Sequence, residues 1–285
     1  MSTCRGSRLP GGRLHLTDSL VGEAPSWSPD GAFLAFKQTR DDPRLGNRDL
    51  VIWASDKGGE RKFSPSESIG DRRPAWFPDG SVQLMMNGTL RVRLENGAFR
   101  EIHTAHPVPL GVVSPDGKTV YASMRADQTA PSGTIVAYDV ETGQPRQRYP
   151  LPEGAGDIGN RPGYLALSPD GQTIAVTTEG HGKGARIART RVDGSDYRQL
   201  YTGSIPGPGV AWSADGGSIL FLESDGRQTR LMRIPATGGV AERVGIEVEG
   251  FSGFDVSRDG KHIAYSTRSD AQEIWALDLP SLPKK

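Results

Sequence analysis

The stretch PSWSPDGAFLAF, residues 25–36, decides the fold because the chain writes close variants of it five more times. They are PAWFPDGSVQLM from Pro74, GVVSPDGKTVYA from Gly111, LALSPDGQTIAV from Leu165, VAWSADGGSILF from Val210 and FDVSRDGKHIAY from Phe254. The motif aspartates are Asp30, Asp79, Asp116, Asp170, Asp215 and Asp259, so successive copies lie 37 to 54 residues apart. Self-similarity at such a period marks a repeat architecture, in which each unit is one supersecondary element that buries its faces against its neighbours.

Each motif joins two apolar runs through a tight turn. Proline at the first corner presets φ, Ser and Asp hydrogen-bond the turn backbone, and glycine supplies the positive φ that a three-residue hairpin loop requires. Pro29, Pro78, Pro115 and Pro169 give way to Ala214 and Arg258 in the last two copies, whereas glycine holds its place in all six. Positive φ is therefore the stricter demand. Three residues before each aspartate stand Trp27, Trp76, Val113, Leu167, Trp212 and Val256, apolar every time and suited to the seam between neighbouring sheets. The second copy reads one residue short after its turn.

Beyond each hairpin comes a variable loop and a third strand such as DLVIWAS, TIVAYDV or EIWALDL. A second Gly-containing turn (DKGGE, ENGA, ETGQ) then leads into a short fourth strand. The unit is a four-stranded antiparallel meander of about 40–45 residues, the length of a propeller blade. After EIWALDL only a short tail remains, so the last unit lacks a fourth strand of its own. GRLHLTDS, residues 12–19, is predicted to supply it and to close the ring, which removes two exposed sheet edges. The expectation is an all-β, six-bladed propeller spanning 12–279 as one domain, with tails at 1–11 and 280–285. The 37 glycines and 21 prolines agree with many short strands and tight turns, and no long amphipathic helix is found.

With their Trp before and apolar strand after, the six Ser-Pro-Asp-Gly hairpins resemble the repeats of TolB-like six-bladed β-propellers over nearly the whole chain. The departures are WFPDGSVQLMM, WSADGG and VSRDGK. The resemblance is to the propeller alone and implies no role in the Tol system. It does imply an extracytoplasmic interaction protein, periplasmic or secreted.

Composition narrows the partners. Thirty-four basic and 34 acidic side chains give no net charge, so nothing global draws the chain to nucleic acid or an anionic membrane. No run of about 18 apolar residues exists, MSTCRGSRLPGG lacks the apolar core of a secretory signal, and Cys4, the lone cysteine, excludes an internal disulfide. A monomer is expected.

On a propeller the Asp-Gly turns share one face with the second set of turns, and the variable loops occupy the other, where recognition is expected. Arg40, Arg125 and Arg268 leave second strands there, and Arg72, Arg73 and Arg161 precede first strands. Together with His106 and His181, the arginines Arg40, Arg72, Arg125, Arg161 and Arg268 are the candidate ligand-binding residues, able to grip a carboxylate or phosphate by forked hydrogen bonds. The competing reading has these arginines pair with acids on adjoining loops and tie blades together. The histidines come from different blades, with no metal-ligand spacing apart from HTAH, so no metal or cofactor is assigned. Asp41, Asp42, Asn47 and Asp49 match no calcium loop, EGHGKG matches no phosphate loop, and the motif serines are explained by their turns. No catalytic residue is assigned. The expected function is non-catalytic capture of a protein segment, or of an anionic small molecule or oligosaccharide, at the channel mouth. The alternative is an enzyme acting on a small substrate, foremost a uronate oligosaccharide lyase. Such a lyase would hold a divalent metal in the channel, with His106, His181, Arg125 and Arg268 as candidates.

Overall fold

The computed structural model describes residues 7–8, 14–17, 22–39, 48–55, 59–65, 69, 73–85, 89–102, 105–158, 165–178, 184–206, 209–268 and 272–278. Among them every regular element is a β-strand. Strands β1 (Ser7–Arg8) and β2 (Leu14–Thr17) come first. The first blade is β3 (Gly22–Trp27), β4 (Phe33–Thr39), β5 (Arg48–Ala54) and β6 (Glu60–Phe63). The second is β7 (Ala75–Trp76), β8 (Ser81–Met85), β9 (Thr89–Glu95) and β10 (Ala98–Ile102). The third is β11 (Val112–Val113), β12 (Thr119–Met124), β13 (Thr134–Asp139) and β14 (Pro145–Pro150). Strands β15 (Leu165–Leu167), β16 (Thr173–Thr178), β17 (Ala185–Arg191) and β18 (Arg198–Gly203) form the fourth. The fifth is β19 (Val210–Trp212), β20 (Ser218–Ser224), β21 (Thr229–Pro235) and β22 (Glu242–Val248). The chain ends in β23 (Phe251–Val256), β24 (His262–Arg268) and β25 (Gln272–Asp278).

The architecture is that of an all-β propeller of four-stranded antiparallel blades, each a meander in chain order. Six equal blades are predicted from the repeats; the described residues give five four-stranded ones. The remaining sheet has five strands in the order β1-β2-β25-β24-β23. The last repeat contributes three strands, β2 adds antiparallel to β25 with Leu14 opposite Ala276 and His15 opposite Trp275, and β1 adds beyond it. Ser7–Arg8, expected in the tail, thus joins the sheet.

The motif turns repeat to within a tenth or two of an ångström. Ser28 N donates to Phe33 O at 2.8 Å and Gly31 N to Ser28 O at 2.9 Å, with the same pair at Ser114, Ser168, Ser213 and Ser257. Each of those serine hydroxyls donates to its aspartate Oδ1 at 2.5 or 2.6 Å, and Oδ1 also accepts the backbone N–H two residues on. In the second blade Phe77 replaces the serine and the turn closes one residue earlier, Phe77 N to Ser81 O at 2.8 Å. Ser81 takes over the hydroxyl's role on Asp79 at 2.6 Å, and the Arg91 guanidinium lies 3.7 Å above the Phe77 ring.

The core lies in the seams between sheets. Ala35, Leu50 and Ile52 of the first blade pack on Ile69, Trp76, Val82 and Leu84, all almost fully buried. Each valine, leucine or isoleucine among them contributes about 1.5–3 kcal/mol on burial. The tryptophans sit in these seams as expected and two also stitch them: Trp76 Nε1 donates to Ser26 O, and Trp212 Nε1 to Ala166 O, both at 2.9 Å. The first strand of each sheet touches its counterpart in the next, from β3 through β7, β11, β15 and β19 to β23, and β23 touches β3.

Candidate binding channel

Residues of the first strands of all six sheets line a cavity of about 310 Å³. One level inside it is Ser26, Ala75, Val112, Ala166, Ala211 and Asp255. Five small or apolar residues leave the lumen open, and the sixth is a carboxylate. At the end carrying the Asp-Gly turns the lining is Pro29, Pro78, Pro115, Pro169, Ala214 and Arg258. The motif position that presets φ in four copies therefore faces the channel, so replacing proline by arginine places a cation at its mouth.

Asp255 ties three blades. Its Oδ2 accepts the Trp27 backbone N–H at 2.8 Å, satisfying a donor on the inner edge of β3, and lies 2.5 Å from Arg73 Nη2 ahead of β7. Both side chains of the ion pair are largely shielded, at 20% and 15% exposure, so the attraction is screened less than at an open surface. Arg258 is exposed, and among the described residues it has no acidic partner. Among the described residues the buried Trp27 Nε1 has no partner, unlike its counterparts in Trp76 and Trp212.

Around the mouth, the serine hydroxyl and a backbone N–H hold Asp116, Asp170 and Asp215 below the usual carboxylate range. Basic side chains near them (Lys118, Arg191 and Arg233) favour the same ionised form. At Asp79 burial pulls upward, but the hydrogen bonds from Ser81 and the charges of Arg91 and Arg93 outweigh it.

Of the residues singled out from sequence, Arg40, Arg72, Arg161 and His181 lie outside the described residues. Arg268 ends β24 opposite Gln272, and its side chain is likewise outside the description. Arg125 is 73% exposed with Nε 3.6 Å from Asp157 Oδ2, and Asp157 also accepts the Ala126 N–H, so here the arginine pairs with an acid. His106 does not join the loop face. A Cβ on Gly143 would fall 2.7 Å from the His106 Cβ, and Gly143 belongs to the β13–β14 turn at the Asp-Gly end. The cause is the connection before β11, which dips between blades: Val108 O accepts from Gln83 Nε2 at 2.8 Å, and Val108 packs on Phe77 and Val120. Sequence reasoning missed Asp255 and Arg258 as a lining pair. The signal for Arg258 was present in VSRDGK, whose arginine was read only as a lapse from proline.

Two further groups bear on chemistry. Tyr201 donates to Glu223 across the fourth and fifth blades, and burial together with that bond pushes its phenol up to about 12. A phenol so held is a donor, not a base. Among the described residues no group of three or more His, Cys, Asp or Glu is placed to hold a metal ion, and no helix is long and apolar enough to cross a membrane.

No family model matches the chain, and no curated protein matches it. Solved structures do. In fold the chain is TolB-like. TolB from Acinetobacter baumannii superimposes with a TM-score of 0.63 at 19% identity, over 88% of this chain and 64% of that one. This chain thus spans under two thirds of that protein's length. An oligogalacturonate lyase from Vibrio parahaemolyticus gives 0.61 at 12% identity, covering 98% of this chain and 96% of that one. A gluconolactonase from Xanthomonas campestris gives 0.60 at 17% identity over 94% and 89%. At such identities the likeness is one of fold.

Proposed function

We propose that the chain is a closed six-bladed propeller, the five-stranded sheet being its sixth blade, and that it is a binding protein working outside the cytoplasm. It holds an acidic protein segment or another carboxylate-bearing ligand in the channel mouth without transforming it. The closed ring is supported by the contact of β23 with β3 and by the addition of β2 to β25. The observation that carries the binding site is Arg258, a cation without an acidic partner among the described residues, at the mouth of a cavity lined from all six first strands. A guanidinium there meets a carboxylate by two parallel hydrogen bonds. Arg73 lies in the same lumen but is already engaged by Asp255.

Fluorescein-labelled tetraglutamate and trigalacturonate are suitable probes. Binding of at least one by the wild type is expected, weakened about ten- to a hundredfold in Arg258→Ala, since a hydrogen bond to a charged group contributes about 1.5–3 kcal/mol. Equal binding by the variant would remove Arg258 from the site. The solved lyase makes trigalacturonate doubly useful, because ultraviolet absorbance of an unsaturated product would convert the reading from capture to catalysis.

A further inference from the structure

A second cavity, of about 410 Å³, opens between the first and second blades at the end carrying the Asp-Gly turns. Its walls are Phe33 and Ile52 on one side and Trp76 and Leu94 on the other, and it meets the channel along Ser28, Pro29, Trp76 and Pro78, which line both. Its origin is legible in the turns. A Cβ on Gly117 would fall 3.3 Å from Pro78, on Gly171 2.7 Å from Pro115, on Gly216 3.7 Å from Pro169 and on Gly260 3.0 Å from Ala214. Each of these glycines thus seats on the preceding blade. The second blade's turn closes one residue early, and a Cβ on Gly80 would meet nothing within 4 Å among the described residues. The contact it would make with Pro29 is lost, and a gap takes its place.

The charges at the rim are unequal. Arg93 is engaged by Glu95 and Asp79 by Arg91. Asp30 accepts from Ser28 Oγ and the Ala32 N–H, and among the described residues it makes no ion pair, Arg93 in the same lining being engaged by Glu95. An apolar cleft of a size that accepts a large side chain is therefore edged by one uncompensated carboxylate.

We propose that this cleft docks a protein segment in which a bulky aromatic side chain neighbours a lysine or arginine, the ring entering against Trp76 and Phe33 and the cation meeting Asp30. The proposal rests on the reading of the chain as a segment-binding propeller and names a second contact for such a partner, beside the channel.

The probes are N-acetyl-Trp-Lys-amide and N-acetyl-Trp-Glu-amide, titrated into the nitrogen-15-labelled chain while the indole N–H signals, assigned by single Trp→Phe variants, are followed. The Lys dipeptide should move the Trp76 signal and bind about tenfold more tightly than the Glu dipeptide, since reversing the charge turns attraction into repulsion. Asp30→Asn keeps the oxygen that caps the turn and should bring the two dipeptides within about twofold of each other. Leu94→Trp fills the cleft and should abolish both shifts. Equal binding of the dipeptides, an unchanged ratio in Asp30→Asn, shifts confined to Trp212 across the channel, or no shift at all would each overturn the proposal. The channel reading fails separately: if tetraglutamate binds through Arg258 while the dipeptides do not bind, the cleft falls and the channel stands. If none binds, both fall.

Discussion

Gly171 and Gly31 share the same turn, the same Ser-Pro-Asp before them and the same φ of +72°, yet they inhabit different surroundings. A Cβ on Gly171 would lie 2.7 Å from the Pro115 ring of the preceding blade, while one on Gly31 would meet nothing within 4 Å among the described residues. The local motif sets the turn, and the neighbouring blade decides whether it is locked. From Gly117 to Gly260 the locks run blade to blade, and on both sides of the first blade they are missing. Arg258 stands where a proline would face Gly31, and the shortened second turn withdraws Gly80 from Pro29. Both candidate binding features border this unlocked blade.

The sharpest way to break the comparison is to add the missing carbon. Either Gly→Ala substitution forces a side chain into positive φ, which costs about 1–2 kcal/mol. Gly171→Ala also drives a methyl against the exposed Pro115 ring of the preceding blade, which must shift to admit it, a further cost of about 1–3 kcal/mol. Denaturant unfolding should therefore show a loss of about 3 kcal/mol for Gly171→Ala against about 1 kcal/mol for Gly31→Ala. Adding Pro115→Ala should bring the two closer. Equal losses would show that the backbone conformation is the whole constraint and that the locks carry no energy.

A middle-sized effect separates hydroxyl from ring. Ser114 bonds Asp116 and receives the Thr119 N–H at 2.9 Å, whereas Phe77 holds the same place without a hydroxyl. Ser114→Ala should cost about 1–2 kcal/mol at neutral pH. The Ser114 hydroxyl is the first cause of the lowered Asp116 value, so the folded carboxyl titrates below the unfolded one. Its contribution is complete above the unfolded value of about 4 and is lost as pH falls through the folded value. The gap between wild type and Ser114→Ala should accordingly narrow in acid, as read from unfolding at pH 7 and pH 3. A gap independent of pH would assign the serine's effect to the Thr119 bond alone.

These turns also mark how far the sequence could be read. Hairpin position, glycine placement, the tryptophan seams and the short second turn follow from local chemistry, read within each copy and by comparing one copy with the next. The fifth strand on the last sheet, the dip that carries His106 to the turn end, and the Asp255–Arg73 bridge across the lumen depend on segments far apart in the chain. No local pattern encodes them. Arg258 lies between these cases, since its position was visible, but its direction required knowing that the proline corner faces the channel.

The smallest effect tests the charge asymmetry of the open blade. Lys118 and Lys261 follow their motif glycines and attend Asp116 and Asp259, the latter with Nζ 3.6 Å from Oδ2, while the first blade has Ala32 at that position. Ala32→Lys writes the pattern of the third and last repeats into the first. As an exposed pair it should add no more than about 1 kcal/mol of stability, and salt should erase that gain. Its larger consequence would lie in recognition, because Asp30 would then have a cation of its own and the Lys dipeptide should lose its preference over the Glu dipeptide. Loss of preference with stability almost unchanged would show that the first blade is left unpaired for the sake of a ligand. A variant that gains stability yet keeps the preference would instead place the source of selectivity elsewhere on the rim.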